Sequence, residues 1–178
     1  TQSVKIYEME KPDVPLWCVW AIQQYAKEAG KERCRKLYMD LIRDIVDYLL
    51  ASKHPNLTLD TNGLLYADAK GEAITWMNSM NNGQPVVPRS GYIVEFNALW
   101  YNALRFTAAM EMESGNEERA NELDALAEKC KVSFVETFLN EYGYLYDYVD
   151  GRMVDSVGQY TSDYIRHSLE KANAVLLV

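Results

Sequence analysis

The sequence predicts an all-α protein made of helical hairpins in an inner and an outer layer. Three observations lead there. Apolar residues recur at spacings of three and four through residues 31–53. Residues 93–113 are apolar around most of a helical circumference. Residues 116–142, which follow, are apolar on one face only. A helix apolar on nearly all sides must be enclosed, and an amphipathic one covers it, so the alternation gives two layers. The same pattern suits a helical repeat array, but no repeating signature occurs.

The elements follow in order. Residues 13–29 read as the first helix, with Asp13 as its N-cap, Pro15 in its first turn and Gly30 just past its end. Residues 31–53 form the second helix. Cys34, Leu37, Tyr38, Leu41, Ile42, Ile45, Val46, Leu49 and Leu50 make one stripe, and His54-Pro55 stops it, since a residue before proline avoids the helical region. Residues 55–91 are punctuated by Asn62-Gly63, Lys70-Gly71, Asn82-Gly83, Pro85, Pro88 and Ser90-Gly91. Within them, residues 64–67 and 73–76 are expected to be short strands of a hairpin. A connection this long in a compact domain is functional or disordered, and Tyr66, Trp76 and Met77 argue against disorder.

The third helix, residues 93–113, carries Val94, Phe96, Ala98, Leu99, Trp100, Tyr101, Leu104, Phe106 and Ala108. Ser114-Gly115-Asn116 forms the turn and caps the fourth, whose face holds Leu123, Leu126, Ala127, Cys130, Phe134 and Phe138. Residues 143–151 read as a tyrosine-rich turn or hairpin, with Tyr144, Tyr146 and Tyr148 alternating as in a strand. Residues 160–177 are a final helix candidate, with Tyr160, Tyr164, Ile165 and Leu169 on one side. Residues 1–178 are read as a single domain. His54 and His167 show no partner pattern and read as surface residues.

Composition narrows the function. With 178 residues, 48% of them hydrophobic, the protein is able to bury an ordinary core. Its net charge of -8 and lack of a basic run argue against nucleic acid and against an anionic membrane as partners. The first twenty residues lack the basic-then-apolar order of a signal peptide, and no stretch reaches the roughly 20 apolar residues of a membrane span. A cytoplasmic location is expected. The missing initiator Met reads as an excision or an imposed boundary. Cys18, Cys34 and Cys130 are scattered, so neither a disulfide framework nor a metal site is expected, and no cofactor. Thirteen Tyr and four Trp supply apolar faces with polar handles, which suit sugars and ordinary packing alike.

The densest set of functional residue types lies in residues 60–102. It includes Thr75-Trp76-Met77-Asn78, then Pro88-Arg89-Ser90-Gly91, then Val94-Glu95-Phe96-Asn97-Ala98-Leu99-Trp100-Tyr101-Asn102. This resembles the amylo-α-1,6-glucosidase domain of glycogen debranching enzymes, with its Thr-Trp-Met-Asp loop, Pro-Arg-x-Gly turn and Val-Glu-Ile-Asn-Ala-Leu-Trp-Tyr-Asn helix. Asp13-Val14-Pro15-Leu16-Trp17 is similar to that family's Asp-x-x-Leu-Trp helix start. The resemblance covers residues 5–151. It implies an (α/α)6 barrel of the six-hairpin glycosidase type, with the site in loops at one end. It also implies inverting hydrolysis of an α-1,6-linked glucose at a glycogen branch point, with glycogen or a branched α-glucan oligosaccharide as partner. Inversion needs one carboxyl group to protonate the leaving oxygen and one to activate water.

Two departures qualify the expectation. The family's acid closes Thr-Trp-Met-Asp, and here that position is Asn78. An amide can hydrogen-bond the glycosidic oxygen but cannot deliver a proton to it. Past Gly151 the sequence leaves the family's continuation, so residues 152–178 are read as a tail unlike it. The barrel's second half, with its base, is then absent, as in a truncated or frameshifted product. The chain is therefore expected to be incomplete and inactive alone. Two other readings stand beside this one: a sugar-binding remnant, or a homo-oligomer that covers its exposed inner helices.

The resemblance puts Asp13, Trp17, Trp76, Arg89, Glu95, Asn97 and Trp100 at the substrate, and all but Trp17 have a plainer alternative. Trp76 and Trp100 stack on a ring or fill the core. Arg89 forks hydroxyls, or braces Glu95 or Asp60. Glu95 on an apolar helix needs a partner, either a substrate hydroxyl or Arg89. Asn97 and Asn102 suit a buried network, Asp13 a helix cap and Asp60 a turn.

Overall fold

One residue, Gly30, separates α1 (Asp13–Ala29) from α2 (Lys31–Leu50) in the computed structural model, which describes residues 11–150. Its φ of 87° lies where only glycine sits without strain, so the backbone reverses at once and the two helices pack as a hairpin. A long connection leads to α3 (Val94–Glu113), and Ser114-Gly115-Asn116 turns back into α4 (Glu117–Phe138). The described residues are thus mostly helical, with a small antiparallel sheet.

α3 lies against all three other helices, which is the inner position its composition predicts. Phe96, Trp100, Ala103, Leu104 and Met110 are fully or almost fully enclosed, and α4 covers them with Leu123, Ala127, Cys130 and Phe138. α3 is nevertheless not covered all round. Arg105, Ala109 and Met112 are exposed, and Ala98, Tyr101 and Asn102 are half-buried along the same side. α1 opens the same way, with Trp17 and Ala21 exposed and Gln24 half-buried.

The connection builds short strands: β1 (Leu57–Leu59), β2 (Leu65–Ala67), β3 (Met80–Asn81), β4 (Gln84–Pro85) and β5 (Gly91–Ile93). β6 (Tyr148–Val149) follows α4. β1, β2, β5 and β6 form one antiparallel sheet in that order, with Tyr66 opposite Tyr92 and Ile93 opposite Tyr148. Gly91 is required at the β5–β6 junction. Its φ is 95°, and a Cβ there would run into the Val149 carbonyl and come within 2.7 Å of Asp150 Cα.

The structure corrects several details. The strand expected at residues 73–76 is irregular loop; β2 pairs instead with β1 and β5. Asp13 is the first residue of α1 and not its cap; the cap position is Pro12, which has no side chain able to cap. α2 stops at Leu50, ahead of His54-Pro55, where Ser52 turns left-handed (φ 51°) and Lys53 donates back to the Tyr48 carbonyl at 3.1 Å. α4 ends at Phe138 rather than near residue 142. Leu37 is exposed despite its place in the α2 stripe. His54 is buried, not superficial: its Nδ1 accepts the Asn56 N–H at 3.1 Å and its ring meets Tyr48 edge-on. The helix expected at residues 160–177 and His167 lie outside the described residues.

Candidate functional site

The N-terminal ends of α1 and α3 lie at one end of the fold, and most of the residues singled out in the sequence gather there. Asp13 and Glu95 each stand in the first turn of a helix, where backbone N–H groups favour negative charge. They are close enough for the Glu95 charge to act on Asp13. Burial first, and then that charge, raises the Asp13 carboxyl above the usual range. Lys11, just before α1, donates to the Ala73 carbonyl at 3.0 Å and so ties the loop carrying Trp76 and Asn78 to this end.

Arg89 organises the interior of the site. Its guanidinium donates to both Glu95 oxygens at 2.5 Å and to Asp147 Oδ1 at 2.7 Å. All three residues are buried or nearly so. Burial alone would lower the Arg89 pKa, but its bonds to Glu95 and then the charges of both carboxylates outweigh it, and the net direction is upward. Asp147 is raised, by burial first and by the nearby Glu95 charge, against the pull of Arg89. Glu95 and Asp147 thus share one guanidinium, and Asp13 lies close enough to Glu95 to feel its charge. Arg89 Nε is buried without a partner among the described residues.

Asn97 and Trp100 fix the helix against the sheet. Asn97 is fully enclosed; it accepts the Leu65 N–H at 2.7 Å and donates to the Leu65 and Ile93 carbonyls at 3.1 Å. Trp100 is fully enclosed as well, and its Nε1 donates to the Gly63 carbonyl at 3.2 Å. Neither offers a face to a ligand in this arrangement. Tyr92 hydroxyl donates to Asp60, and burial first, then that bond, pushes the Tyr92 pKa up to about 12. Asp60 is therefore braced by Tyr92, not by Arg89.

The solvent side of the site is different. Trp76 is 64% exposed, Asn78 is exposed, and Trp17 is 37% exposed with its ring edge-on to Trp20 at 5.7 Å. Thr75 is buried and pins the loop by accepting the Met77 N–H at 3.2 Å. These surfaces offer aromatic faces, an amide and a carboxyl, which suits an uncharged polyhydroxyl ligand. Among the described residues no group of three or more His, Cys, Asp or Glu is placed to hold a metal ion, and no helix is long and apolar enough to cross a membrane.

Sequence reasoning missed Asp147 and Lys11. The only trace of Asp147 is its place between Tyr146 and Tyr148 in an alternating run, where one face must turn inward. Lys11 left no trace, since its role is one long-range bond to a backbone carbonyl.

The model of a protein family described as Amylo-alpha-1,6-glucosidase matches residues 6–167. The match continues past Gly151, where the resemblance read from the residues ended. No curated protein and no solved structure matches this sequence.

Proposed function

This chain belongs to the amylo-alpha-1,6-glucosidase family, and from that membership we propose that it is part of a glycogen-debranching-type glycoside hydrolase acting on α-1,6-linked glucose. One observation carries the assignment of the site. The loop bearing Trp76 and Asn78 is tied through Ala73 to Lys11, beside the paired helix N-termini that hold Asp13 and Glu95. In this reading the fold is part of an (α/α)6 barrel, α1 and α3 being inner helices and α2 and α4 outer ones.

Trp76 and Trp17 stack on glucose rings, and Asp13 takes a sugar hydroxyl. Arg89, Glu95, Asn97 and Trp100 hold those groups in place from behind. Asn78 stands where the general acid is expected and contributes a hydrogen bond to the glycosidic oxygen without a proton. The missing acid lowers the rate by about 10²–10⁴-fold. The base that activates water for inversion lies outside residues 11–150.

Calorimetric titration with a glucose-configured iminosugar and with a short α-1,6-branched oligosaccharide tests the site. Saturable binding in the native protein that is lost in Trp76→Ala is the expected result. Absence of binding at millimolar ligand in the native protein defeats the reading.

A second reading, self-association, is favoured by one feature. Val132, Val135 and Leu139 recur on the outward side of α4 and its end, and each is about half exposed. Tyr142 and Tyr144, beyond them in sequence, are exposed as well, and exposed apolar residues that group together mark interaction surfaces. A homo-oligomer would bury them. Light scattering that finds only monomer excludes this.

A further inference from the structure

At the Asn78-Ser79 junction of the site loop, an exposed asparagine is followed by a backbone N–H with no partner among the described residues. The backbone on either side is held. Asn78 N–H donates to the Trp76 carbonyl at 3.0 Å, and the Ser79 carbonyl accepts the Val86 N–H at 2.9 Å. The peptide between the two anchors is irregular and open to water, and the small Ser79 hydroxymethyl group does not obstruct it.

We propose that Asn78 is a site of spontaneous deamidation, which installs a carboxyl group at the position where this protein lacks its acid. The chemistry needs only water. The Ser79 backbone nitrogen loses its proton and attacks Asn78 Cγ, forming a new C–N bond. The bond from Cγ to the amide Nδ2 then breaks, and that nitrogen leaves as ammonia, having taken up the proton. The resulting succinimide is opened by water. Attack at Cγ restores the ordinary backbone with an aspartate, and attack at the backbone carbonyl gives isoaspartate. The aspartate product is the carboxyl that Asn78 lacks.

The two asparagine-glycine junctions of the same connection supply a protected and an open comparison. Asn62-Gly63 is protected. Gly63 N–H donates to the Asp60 carbonyl at 2.9 Å, and the Asn62 amide is engaged by Leu64 N–H and Tyr92 hydroxyl. Asn82-Gly83 is exposed in the tight β3–β4 turn and serves as an internal reference for the same chemistry. The meaning of Asn78 as the acid position rests on the glucosidase reading above, whereas the modification itself does not.

The experiment incubates the full-length protein at mildly alkaline pH and maps digested peptides by mass spectrometry, with an isoaspartate-specific methylation readout. Ser79→Pro, which has no N–H to attack, and Asn78→Gln, whose ring closure is disfavoured, are treated alongside. The expected result is aspartate and isoaspartate at position 78 in the native protein and loss of conversion there in both variants, with Asn82 converting in all three. Conversion at Asn82 with none at Asn78 overturns the inference. So does conversion at position 78 that persists in Ser79→Pro, since direct hydrolysis would then be the route. Iminosugar binding, read separately with Trp76→Ala, decides the glucosidase reading without touching this one.

Discussion

Two neighbouring parts of one site follow opposite rules. The Arg89–Glu95–Asp147 cluster is buried, charged and tightly bonded, while the loop from Ala73 to Asn78 turns Trp76 and Asn78 to solvent over a buried Ile74 and Thr75 and is held by a few side-chain-to-backbone bonds. The buried cluster cannot yield a charge without leaving another stranded in a low-dielectric interior. The loop can change an exposed residue with little consequence for folding. The first therefore shapes the site, and the second meets whatever binds there. Residues of similar chemistry take different roles because of where they stand: Trp100 is a strut, and Trp76 is a surface.

That contrast can be broken most severely at Arg89. Arg89→Met leaves Glu95 and Asp147 buried without their cation, and a loss of about 3–5 kcal/mol in unfolding free energy is expected by urea denaturation. A loss below about 1 kcal/mol would mean that the cluster is hydrated and behaves like the loop.

The next effect is at the far end of α3. Arg43 donates to both Glu111 oxygens at 2.7 Å, and Glu111 is almost wholly buried. The Arg43 bond, chiefly, holds the Glu111 carboxyl below its usual range. A lowered folded pKa gives stability that is complete above the unfolded value, about 4.3, and is lost as pH falls through the folded value. Glu111→Gln is expected to cost about 1.5–3 kcal/mol at neutral pH, and the gap from the native protein should close on acidification. Asp13 and Asp147 run the other way. Their raised pKa values mean that stability is gained as pH falls through the folded value toward the unfolded one. Urea midpoints measured across the acid range read both trends.

Gly91→Ala should cost more than about 1 kcal/mol, because a left-handed residue gains a Cβ against the Val149 carbonyl. Loss of β5–β6 pairing would appear as faster amide exchange at Ile93. The smallest change in stability is expected at Trp76→Ala, within about 0.5 kcal/mol, although it should abolish sugar binding. A large destabilisation there would place Trp76 with the frame.

Much of the fold was legible beforehand. α1 and α3 fall within a residue of their expected limits, because their apolar spacing and the glycines beyond their ends act locally. The ends of α2 and α4 were less legible. There the backbone leaves the helix to meet the sheet, and sheet pairing depends on residues far away in sequence. The loop at residues 73–76 shows the same effect. Ile74 and Thr75 look like strand residues, yet β2 already has partners on both sides in β1 and β5.

At the site, the sequence by itself determined which residue types were available and where family motifs stood, including the amide at position 78. It also determined that Glu95, on an apolar helix, needed a partner, since desolvating a lone carboxylate is too costly. Only the tertiary structure decided that the partner is Arg89 with Asp147 beside it, that Asn97 and Trp100 are spent on backbone carbonyls of the neighbouring strands and turn, and that Trp76 faces water. The physical reason is that helix periodicity fixes which side of a helix is buried, whereas hydrogen-bond and charge pairing depends on which distant segments the packing brings within about 3 Å.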